Sequence, residues 1–544
     1  MTAPTLETLL GDPYDETNPT GHAAVLAADD AGEPLAAGEA VLDGWSVNAE
    51  YVPVALGGRL ADVPTLIRRL RPVFRRDAGL GLGHGLTTLM AALNVWTAGT
   101  PEQCRRVAGL LLAGERISVA YHELAHGNDL ARNALRAEPT SAGFLLHGTK
   151  QVINNAGRAR AAVIFARTAD PAAPPGGRDH SLLLLDDLDA VAGLTRLPRL
   201  RTSGLAGCRL AGLGFDGAAV PAGALVGEPG TGGSTALRSF QVSRCVTAGV
   251  GTALLEAALF GVYRFAAGRI LYGRPVTALP HARYLLAGAF ADLHIAQAFT
   301  HAAARSLHLC PAAAGRYAAA AKFLVPRLVE DALGDLAVVL GARSYLRTGP
   351  YAFVGKHLRD IAGLSIGHAG GVSCQLALLP DLPGLVLDEP AAPELFGTSP
   401  LPPLDFTALR MRASRPDPLL AALAPALDAV GGELAAGVRV ELAELRAAAG
   451  ALPVAERGVT AGHRSLALTE RYAWLLATSA CLNSPHAGDP LWTDAVLERI
   501  GLRSGRLGEP RTTTAAEAAF AVLTDRAERG RSFDLDPEPV VRTR

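Results

Sequence analysis

Between about residues 116 and 226 the sequence packs five short apolar runs, RISVAY, FLLHGTKQVI, AAVIFART, SLLLLDD and LGFDGAAVP, separated by Gly, Pro and Asp-rich turns such as DPAAPPGGRD. Runs of this length and composition, punctuated by turn residues, are strands. On both sides the period changes to the three-to-four spacing of helices. A sheet inserted between helical regions is the constraint that every further reading has to satisfy.

At 544 residues the chain exceeds the ~250–300 at which a single core stops growing. The expected fold class is α+β, mainly α. It comprises an N-terminal helical domain (1–115), a β-barrel-like domain (116–230), a four-helix bundle (234–390) and an additional helical domain (406–535) after a Pro-rich joint, with a loose polar tail from Arg529. Thr100, Pro101 and Gln103 in GTPEQCRRVAGLLLAGE spell a capping box with proline in the first helical turn. The run CVTAGVGTALLEAALFGVY (245–263) is apolar enough for a membrane, but it carries Glu256 and is flanked by Arg244 and Arg264. It is expected to be a buried helix whose small residues allow close packing.

Lys plus Arg total 51 against 52 for Asp plus Glu, a net charge of -1, which provides no electrostatic footprint for nucleic acid. The six cysteines are scattered without a CxxC pair, and the first twenty residues lack the basic start and apolar core of a signal peptide. Reduced thiols, a cytoplasmic location and no membrane association are expected.

Several motifs invite chemistry. HELAH, His122 to His126, matches the zinc pattern in which two imidazoles share a helix face and the glutamate activates water. Here RISVAY before it reads as a strand, Gly127 follows at once, and no third ligand is spaced for it, so no metal site is assigned. GEPGTGGST (227–235) has Gly233 where a phosphate loop needs lysine, and it is read as a connector. His294, His301 and His308 lie seven apart, about 10 Å along a helix at 1.5 Å per residue. That is too far for one metal and is read as a half-buried helix face.

Taken in order, the segments GTPEQCRRVAGLLLAGE, VAYHELAHGNDLA, GFLLHGTKQVINNAGRARAAVIFART, LGFDGAAVPAGALVGEPGTG, YRFAAGRILYGRPV and VLGARSYLRTGPYAFVGKHLRDIAG resemble motifs of the acyl-CoA dehydrogenase and oxidase flavoproteins, over about residues 80–376. The resemblance implies FAD between the β domain and the bundle. It places the flavin against Tyr121, His122, Glu123, Asn128, Val152, Ile153 and Asn154, with Gly341 near the cofactor. Arg269 and Tyr272 would reach the FAD pyrophosphate of a neighbouring subunit, where cationic donors suit phosphate. His122 stands where the family has Thr, Val152 where it has an aromatic, and Ala342 and Ser344 replace two glycines.

Counting from Arg359-Asp360, the family's catalytic carboxylate falls on His368, within Gly367-His368-Ala369-Gly370. The alternative base position, before Arg244, is Ser243. An imidazole with a pKa near ~6.5 can take a proton at neutral pH. His368 is therefore the expected base for α,β-dehydrogenation or oxidation of an acyl thioester, carried by CoA or by an acyl carrier protein. The alternatives are a flavin monooxygenase in which His368 donates to a flavin peroxide, a catalytically silent flavoprotein, and a zinc hydrolase through HELAH. The C-terminal extension resembles, in placement, that of acyl-CoA oxidases and of the longest-chain dehydrogenases, which favours a homodimer.

Overall fold

A computed structural model describes residues 4–170, 176–367, 370–385, 392–412, 416–510 and 514–541. Short helices and the amphipathic helix Val63–Arg76 lead into Thr87–Ala98 and Pro101–Leu112. The last of these starts on the expected capping box: the Thr100 hydroxyl accepts from the Gln103 amide, and the Gln103 side chain accepts from the Thr100 amide.

The strands follow: β1 (Ile117–Ala120), β2 (Arg136–Pro139), β3 (Gly143–Asn154), β4 (Ala161–Arg167), β5 (His180–Leu185), β6 (Leu194–Leu197), β7 (Leu210–Pro221) and β8 (Leu225–Val226). They form one sheet in the order β6-β7-β3-β2-β4-β5-β8, with β1 parallel to β4. The expectation of a barrel is corrected here, because the sheet does not close. β6 and β8 are four and two residues long and stay at opposite ends of the path. β2 is joined to β4 through the single pair Arg136–Arg167, too little ladder to wrap the sheet on itself.

Side chains alternate across β4, as a two-residue period requires. Ala161, Val163 and Phe165 enter the main core, while Ala162, Ile164 and Ala166 enter a second core on the opposite face.

Gly232 opens a 37-residue helix, Gly232–Gly268, directly after the 227–231 connector. Its apolar stretch is wholly buried within the protein. Pro280–Leu309, Ala314–Leu340 and Ala352–Ile366 pack around it. The C-terminal helices Gly432–Gly450, His463–Leu482, Pro490–Arg503 and Thr514–Glu528 share the same continuous core, which runs from Leu6 to Phe533.

The tail beyond Arg529 is docked rather than loose. Phe533 is fully buried, and Asp534 pairs with Arg71. One apolar residue and one carboxylate within a polar stretch suffice, because they meet a ready apolar hole and a buried arginine.

Candidate functional site

β1 runs out at Tyr121, and this residue ties three parts of the molecule together. Its ring meets Phe165 of β4 edge-on and Phe240 of the Gly232–Gly268 helix, with centroids 5.8 and 5.4 Å away. Its hydroxyl donates to Asn94 Oδ1 at 2.6 Å, and the Ser239 hydroxyl donates to the same oxygen. Burial holds the phenol well above its ordinary range, so Tyr121 is a neutral donor.

The next residues turn across β3. The His122 carbonyl accepts from the Gln151 amide at 2.9 Å, and the Leu124 amide donates to Gln151 Oε1 at 3.2 Å. Glu123 accepts from Lys150 Nζ at 2.8 Å and from the Ala134 and Leu135 amides. Burial pushes the Glu123 carboxyl up, but the Lys150 ammonium and the two amides outweigh this and leave it below the usual glutamate range. Lys150, brought down by burial against the pull of Glu123, sits at about 8.

Residues 124–128 form a turn. The helix that HELAH would need for zinc is therefore absent, and its glutamate is already committed to Lys150. Asn128 lies exposed at the end of this turn.

Opposite Tyr121 and His122, β3 leaves its ladder with β7 between Lys150 and Ile153. At the centre of this irregularity Val152 has φ +60°. A β-branched residue in the left-handed region is strained by ~1–3 kcal/mol and persists only where the surroundings force it. The break lies beside the Tyr121–Glu123 segment with Gln151 and Val152 half-buried, while Ile153 returns to the core.

Asn154 faces the protein rather than the site. Its amide nitrogen donates to the Leu82 and Gly83 carbonyls and to Thr87 Oγ1, and its amide oxygen accepts from the Arg209 N–H. The partner is a π-helical turn, Gly81–Leu86, which sequence reasoning missed. The signal was the glycine repeat: a Cβ at Gly81 would lie 2.4 Å from the Phe74 ring, and one at Gly85 2.3 Å from the Tyr51 hydroxyl.

Two of the proposed segments, Tyr121 to Glu123 and Val152 to Asn154, therefore lie side by side, with the Asn154 side chain turned into the protein. Arg269, Tyr272 and Gly341 stand apart on the surface. Arg269 precedes, and Tyr272 tips, a hairpin pairing Ile270–Leu271 with Arg274–Pro275, and Tyr272 is 90% exposed. Gly341, at φ +60°, ends Ala314–Leu340.

His368 lies outside the described residues, but the segment before it is firmly held. Arg359 donates to Asp29, Asp360 accepts from the Leu205 amide at 2.6 Å, and Lys356 bridges Asp77 and Asp360. Lys322 Nζ donates to the carbonyls of Leu364 and Gly367. Gly363 to Gly367 also spells GxSxG, yet Ser365 sits in the last turn of a helix and not on the strand-to-helix elbow that a serine nucleophile needs.

A cavity of about 390 Å³ lies elsewhere, among Val63–Arg76, Pro280–Leu309 and the C-terminal segments. Its polar walls already bond one another, Arg71 to Asp534, Arg305 to the Glu394 carbonyl and His301 to the Gly397 carbonyl. It is a docking seam between parts of the fold.

Residues 230–375 match the model of the acyl-CoA dehydrogenase C-terminal domain. An acyl-CoA dehydrogenase of Bacillus subtilis (strain 168) is 28% identical over 310 residues, covering 57% of this chain and 79% of the relative. An acyl-CoA dehydrogenase from Bacillus anthracis, solved in complex with FAD, superposes with a TM-score of 0.72 at 14% identity, covering 97% of this chain and 98% of that one. A prolyl acyl carrier protein oxidase superposes with a TM-score of 0.61 at 20% identity, covering 66% of this chain and 94% of that one.

Proposed function

Since the chain belongs to the acyl-CoA dehydrogenase superfamily and is an FAD-dependent oxidoreductase, we propose that it oxidises an acyl thioester, carried on CoA or on an acyl carrier protein, by removing hydrogen from the α and β carbons. The observation that carries the reading is the strained edge at Val152, set beside Tyr121–Glu123 where the sheet meets the Gly232–Gly268 helix. A flat heteroaromatic cofactor needs backbone groups along one rim, and a break in the ladder held in a strained conformation is where a strand can present them.

FAD would be held by the backbone of residues 121–123 and 151–153 with Asn128. Arg269 and Tyr272 of a second copy would serve its phosphates, which accounts for their exposure here. When bound, FAD supplies a two-electron acceptor.

In this reading His368 takes the α-proton onto an imidazole nitrogen. That requires the neutral ring, which an imidazole with an ordinary pKa of ~6.5 provides at neutral pH. The buried packing of Tyr121, Phe165 and Phe240 excludes water behind the cofactor edge.

The purified protein is expected to show flavin absorbance. His368→Ala should keep the flavin and lose turnover by at least ~100-fold, the lower range for a general acid-base group. His368→Glu should retain measurable dehydrogenation with a shifted pH profile. Wild-type rates in both variants with every thioester turned over would remove His368 from the mechanism.

A further inference from the structure

The helices Pro280–Leu309, Pro490–Arg503 and Thr514–Glu528 leave a second cavity between them, of about 400 Å³. That is within the ~300–1,000 Å³ of small-molecule sites. Phe290, Trp492 and Val496 form apolar parts of its wall, and Ala495, Ala518 and Ala519 leave the space open where longer side chains would fill it. Leu491 and Val522 line it as well and remain 45% and 43% exposed. Apolar wall left in contact with water gains free energy when a ligand covers it.

Most polar groups of the wall are engaged. His294 uses both ring nitrogens, on the Phe533 carbonyl and the Trp492 indole. Asp489 accepts from the Leu491 and Trp492 amides at the start of its helix, and His486 Nε2 lies 3.7 Å from Asp536. Arg526 is the exception. Its half-buried guanidinium lies over the Phe290 ring, 5.4 Å from the centroid, and Nη1 donates to the Asp534 carbonyl. Nε and Nη2 have no hydrogen-bond partner among the described residues.

The carboxylates whose field reaches Arg526 are committed elsewhere: Asp525 pairs with Arg529, Asp534 with Arg71 and Asp536 with His486. Arg531 adds a further positive charge nearby. Arginine cannot shed its proton to escape an apolar setting. The cavity therefore combines an apolar chamber with one cation that lacks a counter-ion of its own.

We propose that this cavity binds a small carboxylate with an apolar body, of the class of free medium-chain fatty acids, at a site separate from that of the flavin and the thioester. The carboxylate pairs with the open edge of Arg526 in charge-assisted hydrogen bonds, and the hydrocarbon covers Phe290, Trp492, Leu491 and Val522. No wall residue belongs to 121–123, to 151–153 or to the helix that leads to His368. Because Arg526 also holds the Asp534 carbonyl next to the docked Phe533, the ligand ties its occupancy to the seating of the C-terminal tail.

The test is calorimetric titration of the FAD-loaded protein with octanoate and with octan-1-ol, which share the alkyl chain and differ in charge, together with hydrogen exchange to locate the ligand. Octanoate is expected to bind the wild type at least ~10-fold more tightly than octanol, as a charge-assisted bond predicts, and to protect amides in 490–496 and 518–526. In Arg526→Gln the ratio should fall to near one. In Ala519→Phe, which fills the cavity, both ligands should be lost. Absence of octanoate binding to the wild type, or equal affinity for the two ligands, would overturn the proposal. Protection confined to 121–123 and 151–153 would overturn it too, by placing the carboxylate in the acyl site, as would undiminished octanoate binding in Ala519→Phe. The protection pattern is read on the wild type alone and decides the location even if a variant does not fold.

Discussion

At the scale of single residues, the site is built by side chains that hold backbone in place. Asn154 is the clearest case. Its amide uses both ends, linking the irregular end of β3 to the π-helical turn at Gly81–Leu86 and to Arg209. Asn154→Ala is expected to cost about 1–3 kcal/mol, because it strands the half-buried Arg209 N–H and weakens the bonding of Leu82 and Gly83. The denaturation midpoint should fall and flavin retention should fall with it. A midpoint equal to that of the wild type would show that the link does not position the edge. The sequence motif named Tyr121 to Glu123 and Val152 to Asn154, and the fold sets these two segments side by side. The motif could not separate residues that face a ligand from those that face the protein, since that depends on which way each side chain leaves the bulge.

At the scale of elements, the seven-residue histidine spacing on Pro280–Leu309 acquires a use. His294 Nε2 donates to the Phe533 carbonyl, and its Nδ1 accepts from the Trp492 indole. His301 donates to Gly397. His308 Nδ1 donates to Pro402, while its Nε2 accepts from the Val63 amide. His294 and His308 each need one bare nitrogen, so both must be neutral. Burial lowers all three, His294 to about 3.

A depressed folded-state value means that the unfolded chain binds more protons between about 3 and ~6.5. The stability is complete above ~6.5 and is lost as the pH falls below it. The denaturation midpoint should therefore fall steadily from pH 7 to pH 4, and His294→Leu should flatten that slope by up to one proton. An unchanged slope would mean that His294 does not titrate on unfolding. The spacing was visible in the sequence and read as a half-buried face. The partners were invisible, because they lie 94 to 239 residues further along, apart from Val63, which lies 245 residues earlier.

At the scale of the molecule, the C-terminal segments are part of the core. Asp417 is fully buried and accepts from the Tyr317 and Tyr472 hydroxyls. Glu256, in the middle of the apolar stretch 245–263, pairs with Arg71 and Arg75 and accepts from the Phe533 amide. Phe533 fills the space between Phe260 and Phe290. Phe533→Ala should destabilise by about 3–5 kcal/mol through lost burial and a residual cavity, and removal of 406–544 should expose enough apolar surface to cause aggregation. A monodisperse truncated chain of unchanged melting temperature would contradict this docking.

What the sequence alone determined is whatever short-range physics writes into it. The change of period at 116 and again near 232 gave the α+β class, the Thr100 cap gave a helix start, and the ordered motifs gave the superfamily. The open sheet, the docked tail and the commitment of Glu123 to Lys150 were decided by tertiary structure. Each depends on groups far apart in the chain meeting at hydrogen-bond distance. Periodicity records which face of an element is apolar, but not which partner will cover it.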